Sequence, residues 1–259
     1  MKLFLNMFKL APTPVVRTPV AIILLATGLL SGAPPASAGV FSVTPVRIYM
    51  TPRDRAVAVT ITNEGDTEVV LQADLNAWSQ QPDGTDEQRP TEDLILSPPI
   101  IKLAPKARQV VRLALLKPAD ASRQLIYRLI MREVPEALAS KDKAIEVPIA
   151  LAMSMPVFIT PPPAKREMSC QAGPRNEQTP TDSLNVSCSN SGTAYAQVRE
   201  ILVKRGAQTL ARFEGGSYIL PGARKMMSAK GEQAIVPGAA QLSVSFDDGK
   251  SQTFDTTIP

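Results

Sequence analysis

Two arginines sit in a setting that asks for a partner. In the run LIYRLIMRE, Ile126, Arg128, Ile130 and Arg132 fall on one face of a strand, and Tyr127, Leu129 and Met131 on the other. A guanidinium among apolar neighbours is costly when unpaired. A carboxylate satisfies it well, because two oxygens match the planar fork bidentately. The alternative is that Arg128 pairs with an acid of its own fold. The second feature is a row. Residues 145–160 read IEVPIALAMSMPVFIT, with Ile145, Val147, Ile149, Leu151, Met153, Met155, Val157 and Ile159 at every odd position. On a strand these side chains share one face. Such a row has no reactive atom, and what it offers is apolar burial. The third feature is Cys170 with Cys188, which flank a polar, turn-rich stretch. A bridge there ties two adjacent strands; two free core thiols are the alternative. There is no CxxC, so the pair does not read as a redox motif.

The remaining composition excludes most catalysis. There is no histidine, which removes Ser-His-Asp chemistry and most zinc sites. No GxSxG, P-loop or dinucleotide fingerprint is present, and the paired acids Asp247 and Asp248 sit in a turn. The expectation is a protein that is not an enzyme and needs no cofactor and no metal. The formal charge of +4 is partly an effect of the N-terminus. The first 38 residues hold Lys2, Lys9 and Arg17 and no acid, leaving 25 bases against 24 acids in the rest. That balance, with no basic block interleaved with aromatics, gives no reason to expect a nucleic-acid partner.

The elements that position these residues read as strands. Residues 1–38 resemble an export signal: early bases, the apolar run Val20 to Leu30, and Ala36-Ser37-Ala38 before Gly39. The apolar run is short for a bilayer span, so no membrane insertion of the mature chain is expected. Period-two alternation then dominates. Val57, Val59 and Ile61 alternate with small residues, Asn63 to Asp66 is a turn, and Val69 to Trp78 resumes as a strand. A polar loop covers about 80–93. Strands recur near 94–103, 107–116 and 124–134. This spacing predicts an antiparallel sandwich of the immunoglobulin type. Pro161-Pro162-Pro163 makes a stiff joint that cannot continue a ladder. Beyond it, shorter runs at 183–188, 194–204, 208–213, 217–220, 224–228, 233–236 and 240–246 predict a second, smaller all-β unit. The expected division is 1–38, 39–160, 161–163 and 164–259. Trp78, the only tryptophan, is expected in the core.

The odd-numbered row is long and almost free of charge. Pro148 and Pro156 cannot donate to a neighbour on their side, which predicts an edge strand. An apolar edge must be covered by its own fold, paired in an oligomer, or kept for a partner.

Taken in order, FSVTPVRIYM, VAVTITNEGD, LQADLNAWSQ, LILSPPIIKLAPKARQVVRL, YRLIMREVPE and the alternating strand resemble the PapD-type periplasmic chaperones of the chaperone–usher pilus pathway, nearer the archaic branch. The resemblance implies two immunoglobulin-like β-sandwich domains in a boomerang arrangement. It implies a periplasmic location after cleavage behind Ala38, pilus subunits (pilins) and an outer-membrane usher as partners, and a monomer or weak self-associating dimer when free. Function would be donor-strand complementation: Val147, Ile149, Leu151 and Met153, with Ile145 and Met155 at the ends, fill the groove of a subunit that lacks its final strand. Family members anchor the subunit carboxylate with two cations. Arg47 matches the first. The second, usually a lysine, falls where Ser154-Met155-Pro156 stands. Arg128 is the expected substitute and Arg132 a lesser one. Arg112 and Asp247 match an interdomain salt bridge, although the acid between them aligns with Gln124. Ser97-Pro98 is a candidate cis bond. The alternative reading is a structural pilus subunit or adhesin with immunoglobulin-like domains.

Overall fold

The computed structural model describes residues 41–134, 150–174 and 179–259. The expected export signal, 1–38, and the donor positions Ile145, Val147 and Ile149 lie outside these residues. Ten strands make the first unit: β1 (Phe41–Thr44), β2 (Ile48–Met50), β3 (Ala56–Asn63), β4 (Val69–Gln80), β5 (Asp86–Pro90), β6 (Leu94–Ser97), β7 (Ile100–Leu103), β8 (Arg108–Leu115), β9 (Leu125–Glu133) and β10 (Ala152–Ile159). They form two sheets, ordered β1-β3-β8-β6 and β2-β10-β9-β4-β5, with β7 also paired to β4. Alternation produces the core between them. Val59, Ile61, Val111 and Leu113 from one sheet meet Leu71, Leu129, Met131 and Val157 from the other, all buried. The candidate cis bond at Ser97-Pro98 is cis, and so is Thr44-Pro45.

The second unit holds β11 (Met168–Ala172), β12 (Ser183–Asn190), β13 (Ala196–Arg205), β14 (Gln208–Ile219), β15 (Arg224–Lys230), β16 (Gly238–Phe246) and β17 (Ser251–Ile258). They run in one path, β11-β12-β15-β14-β13-β16-β17, around a separate core that includes Leu184, Val186, Ile201, Val203 and Val244. The two end strands meet, where the Ala172 amide donates to Thr256 Oγ1 at 2.8 Å. Sequence expectation and structure differ in three places here. The runs 208–213 and 217–220 form one strand, because β13 and β14 accommodate the offset with bulges. Residues 233–236 form no strand, and β17 was not anticipated. Only Phe254 and Ile258 of SQTFDTTI face the core, so an edge strand of this kind has almost no apolar signature.

Each unit is closed by a buried asparagine at a strand end. Asn63 donates from Nδ2 to the carbonyls of Thr67 at 2.7 Å and Ala104 at 3.0 Å, and its Oδ1 accepts from the Gly65 amide at 2.9 Å. Asn190 does the same for the carbonyls of Ala194 and Ile219 and for the amides of Glu167 and Gly192. The side-chain amide satisfies turn groups that burial removes from water.

Cys170 and Cys188 face each other in register across β11 and β12 and form the disulfide. It closes a loop of 18 residues in sequence. In the chain-entropy account, opening a loop of that length costs about 3 kcal/mol. Replacing both cysteines with alanine is expected to lower the urea midpoint accordingly, with the slope of the transition showing whether the denatured state has expanded as well. An unchanged midpoint would mean that neighbouring strands hold β11 without the bridge.

Candidate functional site

Strand β10 has two halves with different neighbours. From Val157 to Ile159 it lies between β9 and a parallel β2. From Ala152 to Pro156 it pairs with β9 alone, so among the described residues its other edge is open. The expected edge strand is therefore an edge over its first half only. The odd-numbered side chains grade along it. Leu151, just before the strand, is 42% exposed. Met153 is half-buried and packs at the margin of the first core. Met155 is 2% exposed inside that core, opposite Leu129. This corrects the expectation for Met155: its side chain already belongs to its own sandwich and is not free to enter another.

The even-numbered face of β10 points away from the first core, and register sets what stands beside it. Pro156 pairs with Arg128, Ser154 with Ile130, and Ala152 with Arg132. Arg128 thus lies directly across from the stretch where the second cation was missing. Its guanidinium carbon stacks 3.7 Å from the Trp78 ring centroid and 5.7 Å from that of Tyr218. Its buried Nε has no hydrogen-bond partner, and no ion pair reaches it among the described residues. Burial pulls this guanidinium below its ordinary value, with only partial relief from Tyr218 and Asp86. Among the described residues, no carboxylate forms an ion pair with Arg128. Aromatic faces hold Arg128 in place without neutralising it.

Trp78 is a core residue, as expected, but not of the first sandwich's core. It belongs to a third apolar cluster with Phe158 and Leu220, packed by Ile126, Tyr195 and Tyr218, where the two units meet. The signal was legible: Ala73, Leu75 and Ala77 point inward on β4, so Trp78 has the opposite parity.

Arg47 follows cis-Pro45 and leads into β2. It is partly exposed, at 31%, and its Nη1 donates to Asp247 Oδ2 at 3.1 Å. The same oxygen accepts from the Tyr195 hydroxyl at 2.9 Å, and Tyr195 also meets the Tyr49 hydroxyl at 3.1 Å. Burial, then Tyr49 and Asp247, push the Tyr195 hydroxyl well above its ordinary range, so it remains a neutral donor. Asp247 does bridge the units, but to Arg47. Arg112 does not take part: Val111 and Leu113 point into the core, which turns Arg112 out to solvent beside Ala58 and Ser97. Gln124 fills the middle of the rearranged network as a neutral amide, accepting from the Tyr195 amide at 2.9 Å and donating to Thr160 Oγ1 at 2.6 Å. Arg132, the lesser candidate, is exposed and pairs with Asp74 at 3.6 Å.

Arg47 and Arg128 come together through Tyr218. Its ring centroid lies 6.0 Å from one guanidinium carbon and 5.7 Å from the other. Beside the open half of β10, then, the junction holds two cations and an aromatic stack, and among the described residues the one acid bonded to either cation is Asp247. The arrangement can take up a carboxylate and an apolar strand side by side.

Comparison with known proteins follows this geometry. Residues 40–165 match the family described as pili and flagellar-assembly chaperone, PapD N-terminal domain. No curated protein matches the chain in sequence. Among solved structures, the CsuC–CsuE chaperone–tip adhesion subunit complex from the archaic Csu pili of Acinetobacter baumannii is 18% identical. That match has a TM-score of 0.60 and covers 85% of this chain and 99% of that one. The Escherichia coli chaperone DraB is 15% identical, with a TM-score of 0.57 over 86% and 98% of the two chains. The Pseudomonas aeruginosa chaperone CupB2 is 17% identical, with a TM-score of 0.52 over 84% and 100%. At these identities the likeness establishes the fold, two immunoglobulin-like sandwiches.

Proposed function

We propose that this chain, whose residues 40–165 match the PapD N-terminal domain of pili and flagellar-assembly chaperones, captures pilus subunits in the periplasm by lending them part of one strand. The observation that carries this reading is the open edge of β10 from Ala152 to Pro156, with Leu151 and Met153 left uncovered or half covered. An incomplete sandwich with an exposed groove gains backbone hydrogen bonds from that edge and fills its pockets with the odd-numbered side chains. Each such side chain is worth roughly 1.5–3 kcal/mol on burial. Val147 and Ile149 continue the row, and Ile145 ends it.

In this reading Arg47 and Arg128 receive the terminal carboxylate of the subunit, which sets the register of the added strand. Arg132, engaged by Asp74, contributes little. Residues 1–38 serve as the export signal, cleaved after Ala38. Residues 39–160 form the capturing domain, 161–163 the joint, and 164–259 the second domain. The subunit–chaperone complex is then delivered to an outer-membrane usher. The alternative, a structural pilus subunit, would carry its donor segment at the N-terminus; here the alternating strand is internal.

Co-expression with a pilus subunit in a periplasm tests the proposal. A soluble one-to-one complex is expected by gel filtration, with the subunit aggregating or polymerising when the chaperone is left out. Subunit that stays soluble and monomeric without the chaperone would count against it.

A further inference from the structure

We propose that Tyr218, carried by the second sandwich, is the third donor of the carboxylate anchor, so that the site is complete only when both units contribute. The inference rests on the capture reading above and adds a residue from β14 to it. Three observations lead there. The ring stands between the two guanidiniums, within 6.0 Å of each. Its hydroxyl makes no hydrogen bond among the described residues, although the adjacent phenols of Tyr49 and Tyr195 are joined to one another and to Asp247. Its position is fixed from across the junction. Gln80 of β4 donates from Nε2 to the Tyr218 carbonyl at 3.1 Å and accepts at Oε1 from the Leu220 amide at 2.8 Å, while Trp78 packs edge-on against the ring at 5.2 Å.

The chemistry of such a group is specific. Both neighbouring arginines are donors only, so neither needs the phenol to donate to it. Asp247 and Tyr49 are within electrostatic reach of this hydroxyl but not bonded to it, so its proton is available to an incoming anion. Burial also opposes ionisation of this hydroxyl, although Arg47 and Arg128 act the other way. The ligand is a terminal carboxylate: one oxygen faces the Arg128 fork, and the other meets Arg47 with the Tyr218 hydroxyl. A terminal amide presents N–H groups to a site made of donors and is rejected, as sites built on directed hydrogen bonds reject analogues that cannot complete them. To take up a carboxylate, Arg47 shares or yields its bond to Asp247, so occupancy is felt by both sandwiches.

The test uses the full-length mature protein and two synthetic peptides carrying the C-terminal strand of a captured pilus subunit, one ending in a free acid and one in an amide. The wild type is expected to prefer the acid. Tyr218→Phe keeps the ring and its stacking but removes the donor. It should weaken acid binding about 10- to 100-fold, the range for a hydrogen bond to a charged group, while leaving amide binding unchanged. Urea unfolding of the variant confirms that it is folded. A Tyr218→Phe protein with the wild-type acid-to-amide ratio, alongside an Arg128→Met protein that has lost it, overturns the role of Tyr218 and leaves the two-arginine anchor standing. A wild type that binds acid and amide equally overturns the anchor itself.

Discussion

Replacing Arg128 with methionine is expected to abolish stable subunit capture while leaving the free protein as stable as before. The two halves of this result have different causes. In the free protein Arg128 is a half-buried cation with an unpartnered Nε, stabilised by the faces of Trp78 and Tyr218. Methionine keeps the unbranched stem and the contact with the indole, and it removes the cost of an unpaired charge. The lost cation–π attraction is worth up to about 2 kcal/mol, and the relieved desolvation is of similar size with opposite sign. Unfolding midpoints should therefore move by less than about 1 kcal/mol equivalent. In the complex nothing offsets the loss. A subunit carboxylate brought to the site is left without the Arg128 fork, and truncating one member of a buried charge pair costs about 2–5 kcal/mol. That corresponds to roughly 30-fold weaker capture at the least. Arg132→Met is the internal control. This residue is exposed and already paired with Asp74, so its loss should change capture little. Recovery of subunit by Arg128→Met at the wild-type level would falsify the assignment of Arg128 to the anchor.

The different fates of these arginines show what a one-dimensional pattern carries. Strand periodicity decides which face a side chain takes, and it placed Arg128 and Arg132 together, opposite Leu129 and Met131. It could also have placed Trp78 outside the first core, since Ala73, Leu75 and Ala77 establish the inward parity of β4. Periodicity does not say what lies across a junction. Tyr218 stands in a run, EGGSYI, with no functional signature of its own. It matters because Gln80, more than a hundred residues earlier, pins its strand to the first sandwich. The exchange of Arg112 for Arg47 as the partner of Asp247 has the same origin. Arg47 stands just before β2 at the junction, whereas β8 turns Arg112 to solvent on the sheet that does not face the second unit. Polar strands such as β5 and β17 escaped for a simpler reason. Their stability comes from backbone pairing with β4 and β16, and their side chains alternate too weakly to mark it.

Two aspartates placed four residues apart on the odd-numbered row should behave as opposites. Leu151→Asp is expected to leave a folded, soluble protein that no longer captures subunit. The side chain is substantially exposed in the free protein, so the carboxylate stays hydrated and costs little there. In a subunit groove the same group forfeits the roughly 1.5–3 kcal/mol of the leucine and must shed its water without a partner, which costs several kcal/mol more. Two or more decades of affinity are lost. Met155→Asp puts the same charge among Leu129, Val157 and the rest of the first core, where the methionine is sealed. The penalty falls on the free protein and is a large part of the 5–15 kcal/mol that holds a domain together. That variant should be found unfolded or proteolysed. Met153→Asp lies between, half-buried at the margin of the core, and should both destabilise the protein and weaken capture. Unfolding midpoint and capture measured across the three variants locate the residue at which the strand stops serving its own core and starts serving another. If Leu151→Asp captures subunit as the wild type does, the lent segment ends before Leu151, and the open edge of β10 has some other use.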